Sequence, residues 1–487
     1  MGNADAGADR RRRPAGFEPK IDLSSLSLVP KRSVSGFESD EEDGAEKASE
    51  QGGNTLQLEW HARGLTSSVY KAELPSSGLG SERKTICVKV TSLDLLVRPH
   101  SAEREIACLS RLRGSKHVAE LLDAFVAFPD PFSTNYELIL TFYPFELGAL
   151  LDDPTTTPEQ WSIAGNATLR EKVPNYSDLV LTVASGLAEG LQYMHKAGIA
   201  HRDIKPSNIL LHTDGTPVYA DFATSWESYK IEDGTTTGAM FDGDDGRGGL
   251  ECAVGTGAYR APEVLFSPAD GYDVYKVDVW ELGVTLSSFF MPFETASQST
   301  ATASRASRDA QSQEPGYGRY ADLRHRSVLG SKAAQTPLWF GDSADEEADD
   351  DDAYAEEEEE NYVFGAPLPK GGPPRRKTLF DGDRGEIALA SSIFRILGLP
   401  EKQEEWPESS TFRPSFDRLP FERHAPTSPV TAALPLAGDV QALAKVDDNL
   451  AQLDAVLEAI EQTLQLSAAK RPDAPKLLRL LRPDQTS

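Results

Sequence analysis

One stretch of the sequence decides the fold, and it reads His201-Arg202-Asp203-Ile204-Lys205-Pro206-Ser207-Asn208. A strand-like apolar run comes next and leads into Asp221-Phe222-Ala223. The loop and the segment after it therefore offer two carboxylates, an amide and a lysine within a short length of chain. We interpret this set as a reaction centre and not as a surface loop of solvated charges.

The residue types in this set fit one reaction class. In a phosphoryl transfer the protein must hold two magnesium ions, orient a hydroxyl group and neutralise charge on the moving group. A carboxylate base, an amide, a second carboxylate and a lysine meet those needs when they lie close together. Asp203, Asn208, Asp221 and Lys205 supply them in that order.

The same stretch resembles the signature set of protein kinases. His-Arg-Asp at 201–203, Asp-Phe-Ala at 221–223 near the expected Asp-Phe-Gly, and Ala-Pro-Glu at 261–263 occur in the family's order. The resemblance covers residues 56–294 and resumes from 384 to about 482. It implies an α+β bilobal kinase fold, with a small β-rich N-lobe containing one key helix and a mainly helical C-lobe. It also implies ATP and Mg2+ as cofactors and a protein as substrate.

The resemblance gives each residue of the set a role. Asp203 is implied to be the base that receives the substrate hydroxyl proton, and Asn208 and Asp221 are implied to be the magnesium ligands. Lys205, two residues after the base, is similar to the lysine with which Ser/Thr kinases contact the transferred phosphate, which argues against tyrosine specificity. Lys89, at the end of Ile86-Cys87-Val88-Lys89, resembles the lysine that holds the α and β phosphates.

A narrower resemblance points to the cyclin-dependent kinases. Pro99-His100-Ser101-Ala102-Glu103-Arg104-Glu105 aligns without a gap to their Pro-Ser-Thr-Ala-Ile-Arg-Glu helix, which implies that Glu105 pairs with Lys89. The run 393–400, with Trp406-Pro407 after it, is similar to a segment special to the cyclin-dependent and mitogen-activated kinase group.

Two further resemblances concern residues that stabilise this arrangement. Asp278, in Asp-Val-Trp-Glu-Leu-Gly at 278–283, resembles the aspartate that anchors the catalytic loop from below. Arg471 resembles the arginine that pairs with the glutamate of Ala-Pro-Glu, here Glu263. We expect this pair to fix the end of the activation segment, which runs from Asp221 to Glu263.

The phosphate-covering turn departs from the family pattern. Its motif reads Gly-x-Gly-x-x-Gly-x-Val, and counting back from Val69 puts Ala62, Gly64 and Ser67 at the three glycine positions. Glycine lets backbone N–H groups approach phosphates closely, so we expect weakened but not abolished nucleotide binding. Glu146, beyond the connector that follows the strand at 137–141, completes the predicted nucleotide-binding set.

Three other departures bear on regulation. Glu103 replaces the isoleucine that contacts cyclin in the cyclin-dependent kinases, so we expect no cyclin binding of the usual kind. Glu251 stands where the activating phosphate is added, and its carboxylate could pair with Arg202 and partly replace that phosphate. Ala223 narrows the backbone freedom of the hinge beside Asp221, or is a neutral replacement of glycine.

Composition and periodicity suggest how the chain is divided. We predict a disordered tail at 1–54, the N-lobe at 55–143, the first part of the C-lobe at 144–294, an acidic low-complexity insertion at 295–383, and the rest of the C-lobe at 384–482. Strands are predicted at 56–60, 69–74, 85–90 and 137–141. Helices are predicted at 101–112, from Ser177 or Asp178 onward, at 386–397 and at 446–466. The run Arg10 to Arg13 is interpreted as solvated charge, with a weak nuclear-import patch as the alternative.

Charge and cysteine content exclude several classes of function. The net charge of -28 argues against a general nucleic-acid binder, although much of it lies in the acidic run at 342–360. The three cysteines are far apart, which fits a reducing compartment without disulfides. Apolar runs are too short for a membrane span. We expect a monomer in the nucleus, the cytoplasm or both.

Three functions stay open at this point. The chain could be an active kinase that works without cyclin, resembling the single-subunit fungal kinases that activate other cyclin-dependent kinases. It could instead be an active kinase of the same group with unrelated substrates. The third alternative is a pseudokinase scaffold that binds partners without catalysis, against which the intact Lys89, Asp203, Asn208 and Asp221 count.

Overall fold

The computed structural model describes residues 11–31, 55–64, 66–74, 84–130, 132–230, 236–237, 250–268, 271–294, 374–446 and 449–482. These residues form a β-rich N-lobe and a mainly helical C-lobe, so the predicted α+β bilobal fold is confirmed. In the described part of the chain no helix is both long and apolar enough to cross a bilayer.

Seven strands build the sheet of the N-lobe. They are β1 (Arg11–Arg12), β2 (Ser27–Pro30), β3 (Thr55–Arg63), β4 (Ser67–Glu73), β5 (Thr85–Ser92), β6 (Leu121–Asp130) and β7 (Ser133–Thr141). Their order in the sheet is β1-β6-β7-β5-β4-β3-β2. The five central strands pair antiparallel, and β2 runs parallel to β3. The strands β3, β4, β5 and β7 correspond to the four predicted ones, whereas β6 was not predicted. In β5, Ile86 and Val88 are fully buried on one face and Lys89 lies on the other, because side chains alternate along a strand.

Helix α1 (Ala102–Arg111) packs on the sheet within the N-lobe. Ser101 caps it, since its hydroxyl oxygen accepts a hydrogen bond from the Arg104 N–H at 3.2 Å. Ile106, Leu109 and Leu112 are buried, which confirms the predicted apolar face. The helix therefore has a fixed start and a fixed orientation relative to the sheet.

Helices make up most of the C-lobe. They are α2 (Leu147–Asp152), α3 (Trp161–Ala164), α4 (Ala167–Arg170), α5 (Tyr176–Lys196), α6 (Pro262–Leu265), α7 (Val274–Ser287), α8 (Glu386–Leu397), α9 (Ala437–Val446), α10 (Leu450–Thr463) and α11 (Ala474–Leu481). The short strands are β8 (Phe145–Glu146), β9 (Ile199–Ala200), β10 (Ile209–Leu211), β11 (Pro217–Tyr219), β12 (Trp226–Glu227), β13 (Tyr229–Lys230), β14 (Thr236–Thr237), β15 (Phe293–Glu294) and β16 (Arg375–Arg376). The buried helices α5 and α7 form the centre of this lobe.

Helix bounds differ from the predictions in two places. Helix α5 begins at Tyr176 after the cap residue Asn175, so Asp178 lies in the first turn, where a carboxylate favours the helix dipole. The predicted helix at 446–466 is the shorter helix α10, whose cap residue is Asn449, and α9, which ends at Val446, was not predicted. Asparagine favours helix ends over helix interiors, which explains why α10 begins after Asn449 and not at Val446.

The expected disorder of residues 1–54 is wrong for residues 11–31. This segment contributes β1 and β2, and its Leu23 is buried against the outer face of the sheet. Arg11 and Arg13 form ion pairs with sheet carboxylates, so these two arginines are not solvated charge, whereas Arg12 is exposed. The segment has few apolar residues, but these ion pairs and Leu23 offset its ordering entropy. Arg10 and residues 32–54 lie outside the described residues.

The predicted boundary of the insertion is also wrong at its end. Residues 374–383 belong to the C-lobe: Arg376 is buried and donates to the carbonyls of Leu151 and Met291, both at 2.8 Å. The ring of Phe380 stacks on Trp280 with centroids 5.4 Å apart. The sequence did not reveal that this segment belongs to the C-lobe, because arginine is usually exposed and an arginine-rich stretch therefore predicts a surface segment. Residues 295–373, with the acidic run, lie outside the described residues.

Candidate active site

The side chain of Lys89 is in direct contact with those of Glu105 and Asp221. Strand β5 supplies Lys89 and helix α1 supplies Glu105; the Lys89 Nζ lies 2.8 Å from both Glu105 carboxylate oxygens. The same nitrogen lies 2.9 Å from Asp221 Oδ1. Burial alone would lower the pKa of Lys89, but the two carboxylates outweigh it and raise that pKa. The ammonium group is therefore charged and fixed between two anions.

The segment 221–223 is tied to helix α1 as well as to Lys89. The Phe222 N–H donates to the Glu105 carboxylate, and the Ser101 N–H donates to the Ala223 carbonyl at 2.9 Å. Phe222 is fully buried beside His201, with ring centroids 4.7 Å apart. Burial would raise the pKa of Asp221, yet Lys89 lowers it to about 2. Asp221 thus points toward Lys89 as a charged carboxylate.

The other predicted residues lie around Asp203 in the catalytic loop, residues 201–208. The Asn208 Nδ2 donates to Asp203 Oδ2 at 2.9 Å, and Lys205 Nζ lies 3.0 Å from the same oxygen. Thr256, from the activation segment, donates its hydroxyl to Asp203 Oδ1 at 2.7 Å. Lys205 donates to the Thr256 oxygen at 2.6 Å. Both oxygens of Asp203 are therefore oriented by neighbours.

Thr256 is a functional residue that the sequence analysis missed. It links the activation segment to Asp203 and Lys205 at once, so it places the segment against the catalytic loop. Its sequence context, Gly255-Thr256-Gly257, gives no charge or periodicity to mark it. Only its fixed distance from the Ala-Pro-Glu motif could have drawn attention to it.

Buried carboxylates of helix α7 hold the loop's backbone. Asp278 accepts the N–H groups of His201 at 2.9 Å and Arg202 at 2.7 Å, which confirms its predicted anchoring position. Glu281, one turn later on the helix, accepts the Ile204 N–H at 2.7 Å. The backbone is thus held on both sides of Asp203. These bonds offset the cost of the left-handed conformation of Arg202, whose φ is 64°.

Glu281 was also missed by sequence reasoning. It is fully buried, and burial, together with the nearby carboxylates of Asp278 and Asp203, raises its pKa well above the ordinary value. The signal was present, because a charged residue inside the apolar run 277–286 must find a buried partner. That partner is the backbone of the catalytic loop.

The predicted pair of Glu263 and Arg471 is present. Its two parallel hydrogen bonds measure 2.6 and 2.8 Å, and both side chains are buried. Glu263 lies in the first turn of helix α6 and Arg471 precedes α11, so the bond joins the end of the activation segment to a part of the chain 208 residues later. Planar Arg–carboxylate pairs of this kind are among the stronger polar contacts in proteins.

The phosphate-covering turn lies between β3 and β4. Ala62 pairs with Val69, and Val69 pairs with Lys89 on its other side, so the register carries the turn next to the lysine. The Gly64 N–H donates to the Ser67 carbonyl at 2.8 Å and closes the turn. Glu146 lies in β8, exposed, opposite Leu210 of the strand that follows Asn208. The predicted nucleotide-binding residues therefore lie on neighbouring elements of the two lobes.

The predicted pair of Glu251 and Arg202 is absent. The Glu251 carboxylate accepts the Ala253 N–H at 2.9 Å instead. The Arg202 guanidinium donates to the Thr224 carbonyl at 2.9 Å. A carboxylate two residues before an N–H forms a local turn at little entropic cost, which explains why the Glu251 carboxylate does not extend to Arg202.

Glu103, at the position of the cyclin-contacting isoleucine, is exposed and accepts a hydrogen bond from the Tyr136 hydroxyl at 2.5 Å.

The arrangement suits magnesium and a nucleoside triphosphate. The carboxylate of Asp221 and the side-chain oxygen of Asn208 are hard oxygen donors of the kind that Mg2+ prefers. The Ala220 N–H donates to the Asn208 carbonyl at 2.9 Å, so these two residues stand on adjoining segments. Asn208 uses its nitrogen to bind Asp203, which leaves its oxygen for a cation. Lys89 could neutralise phosphate oxygens beside them.

Comparisons with known proteins agree with this geometry. Residues 63–324 match the model of the protein kinase domain. The chain is 28% identical over 228 residues to the serine/threonine-protein kinase csk1 of Schizosaccharomyces pombe, covering 47% of this chain and 60% of that protein. It is 33% identical over 188 residues to a calcium/calmodulin-dependent protein kinase kinase of Caenorhabditis elegans, covering 38% and 28%.

A further relative is the serine/threonine-protein kinase stk11 of Xenopus laevis, 34% identical over 111 residues and matched over 22% of each chain. The chain spans 60% or less of the length of these three relatives. The matched domain nevertheless covers more than half of this chain, and its range includes Lys89, Asp203, Asn208 and Asp221. The chain belongs to the protein kinase family.

Proposed function

We propose that this chain is an active protein serine/threonine kinase that uses ATP and Mg2+. The observation that carries the proposal is a pair of polar clusters, in which Lys89 contacts Glu105 and Asp221, and Asp203 contacts Asn208 and Thr256. A chain that had lost catalysis would have little reason to keep both the Lys89–Glu105 pair and an oriented Asp203. The relatives are themselves named serine/threonine-protein kinases, which supports the same activity.

Each residue has a task in this reaction. Asp203, with both oxygens oriented, would accept the proton of the attacking hydroxyl group. Lys205 would neutralise charge on the transferred group, and Lys89 would orient the phosphates because Glu105 and Asp221 fix its nitrogen. Asn208 and Asp221 would hold magnesium, which supplies charge neutralisation when bound. Lys205 favours serine or threonine over tyrosine.

We further propose that the kinase is of the cyclin-dependent type and needs no cyclin. The alignment of residues 99–105 and the segment 393–407 support the type. Exposed Glu103 is already bonded to Tyr136, and helix α1 already brings Glu105 to Lys89 without a second chain. Its substrates would include the activation loop of other cyclin-dependent kinases, as in the single-subunit fungal kinases that the sequence resembles.

The deciding experiment is a phosphotransfer assay on the purified chain. Magnesium ATP is supplied with a generic serine/threonine peptide, a tyrosine peptide and a monomeric cyclin-dependent kinase, and Asp203→Asn is the control. We expect transfer to the first and third substrates only, without added cyclin. Absence of both transfer and an ATP-induced thermal shift would favour the alternative of a scaffold, for which the two lost glycines of the turn are the supporting observation. Transfer only after cyclin addition would overturn the claim of independence.

A further inference from the structure

The segment 11–31 forms a strap around the N-lobe, and its contacts fall into three groups. At one side of the sheet, β1 pairs with β6, and the Arg11 guanidinium lies 2.7 Å from the Glu137 carboxylate in β7. Across the outer face, the N–H groups of Lys20 and Ile21 both donate to the Leu122 carbonyl, at 2.8 and 3.2 Å. At the other side, β2 pairs with β3.

The outer face of the sheet is built to receive this strap. Asp123 is fully buried there among apolar side chains, where an unpaired carboxylate would be costly. Arg13 covers it with two hydrogen bonds of 3.0 and 2.9 Å, and the Leu23 N–H donates to it at 2.9 Å. Leu23 itself packs beside Leu56, Ile86 and their neighbours. The face and the strap are therefore complementary in charge and in shape.

The strap also touches helix α1 at its C-terminal end. Arg113, two residues beyond the helix, donates to the Glu18 carbonyl at 2.5 Å, and its guanidinium lies 5.3 Å from the ring centre of Phe17. A second link reaches the start of the helix, because Tyr136 of β7 donates to Glu103. β7 is the neighbour of β6, on which the strap is paired. Both ends of the helix are thus connected to the strap or to strands that it covers.

We infer that residues 11–31 are a built-in activating segment, which occupies an interaction surface on the N-lobe and holds helix α1 where Glu105 reaches Lys89. The surface consists of the outer sheet face around Asp123, the exposed side of β6 and the end of α1. This inference deepens the proposed function, because it names what takes the place of an external activator. The partner that the surface fits is an extended segment with spaced arginines and one buried leucine.

The test compares variants of the full chain. Arg13→Ala/Leu23→Ala removes the two residues that lock the strap to the sheet, while Val29→Ala trims an exposed strand residue as a matched control. We expect hydrogen exchange of the amides in 102–111 to rise at least about tenfold in the double variant, since a buried leucine and an ion pair are lost together. We expect kcat/KM to fall by at least about tenfold. Val29→Ala should match the wild type in both measurements.

A synthetic peptide with the sequence of residues 11–31 should restore both measurements in the double variant. Should the double variant fail to fold, Phe17→Ala, which removes the contact with Arg113 and some apolar packing but leaves Arg13 and Leu23 in place, is measured instead. Unchanged exchange in 102–111 despite rapid exchange in 11–31 would overturn the inference, even if the wild type is an active kinase. An inactive wild type whose helix amides still respond to the strap variants would instead overturn the proposed function and leave the strap's role standing.

Discussion

The catalytic loop and the phosphate-covering turn were both predicted from motifs, yet they are held very differently. Around Asp203, the backbone N–H groups of His201, Arg202 and Ile204 are all bound by buried carboxylates. The turn at 62–69 is exposed at Ala62 and Gly64 and is closed by one backbone bond of 2.8 Å. The catalytic loop is fixed by the buried helix α7, whereas the turn is the tip of the hairpin formed by β3 and β4.

The difference indicates where this chain tolerates change. The loop keeps every residue of its motif, and each has a buried or bonded environment that another residue type would disturb. The turn has lost two of three glycines, and its Ala62 is exposed to solvent. We therefore expect substitutions in the loop and its anchors to have large effects and substitutions in the turn to have small ones.

The largest effect should come from the reacting residues. Asp203→Asn and Lys89→Met should each lower kcat/KM by at least ~100-fold, because they remove a positioned base and a phosphate clamp. Steady-state assays at saturating magnesium would measure this. Lys116→Met, at a lysine whose side chain is 68% exposed, is the matched control and should leave the rate unchanged. Equal losses in the control would indicate a general effect of lost charge.

The next effect concerns stability and the buried ion pair. Arg471→Met should lower the free energy of unfolding by about 3 to 5 kcal/mol, because it leaves the Glu263 carboxylate buried and unpaired. Denaturant titration would measure the loss. Replacing both partners, as in Arg471→Met/Glu263→Leu, should recover a good part of it. A double variant as unstable as the single one would indicate that the packing of Arg471 on Trp280 matters more than its charge.

A smaller effect should appear in the acid stability of the site. The pKa of Asp221 is lowered to about 2, below the ~3.9 of an unfolded aspartate. Its charged form therefore contributes stability above the unfolded value, and this contribution is lost as the pH falls toward the folded value. Urea titrations at several pH values should show a steeper acid loss for the wild type than for Asp221→Asn. Parallel curves would mean that the Lys89 contact does not stabilise the charged form.

The smallest effect is expected in the turn. Ala62→Gly and Ser67→Gly should improve nucleotide affinity by no more than about fivefold, because closer backbone approach is partly offset by the greater entropy of glycine. Calorimetry or a fluorescent nucleotide would measure the dissociation constant. A gain of a hundredfold in either variant would break the comparison, since it would mean that the turn limits binding as strongly as the loop limits catalysis.

Sequence was sufficient wherever chemistry restricts both residue type and order. Asp203, Asn208 and Asp221 could be predicted because phosphoryl transfer needs those groups, and Lys89 and Glu105 because their surroundings resemble kinase motifs. Strands β3, β4, β5 and β7 and helix α1 could be predicted from their composition and apolar periodicity, whereas β6 was missed.

The remaining features depend on contacts between distant segments. Arg13 and Asp123 are separated by 110 positions, and nothing in either neighbourhood marks them as partners. Thr256 is a common residue type in an uninformative context. The possible pairing of Glu251 with Arg202 could not be judged from sequence, because the carboxylate instead accepts the Ala253 N–H in a local turn.

The two outer strands of the N-lobe sheet also bear on solubility. β1 and β2 come from one short segment and lie at opposite ends of the sheet, beyond the long strands β6 and β3. Unpaired N–H and C=O groups on long outer strands invite pairing with other chains, and natural sheets avoid this with short outer strands that carry charge or proline. β1 consists of two arginines, and β2 ends at Pro30. Loss of residues 11–31 would therefore expose two long sheet edges at once and favour aggregation of the chain.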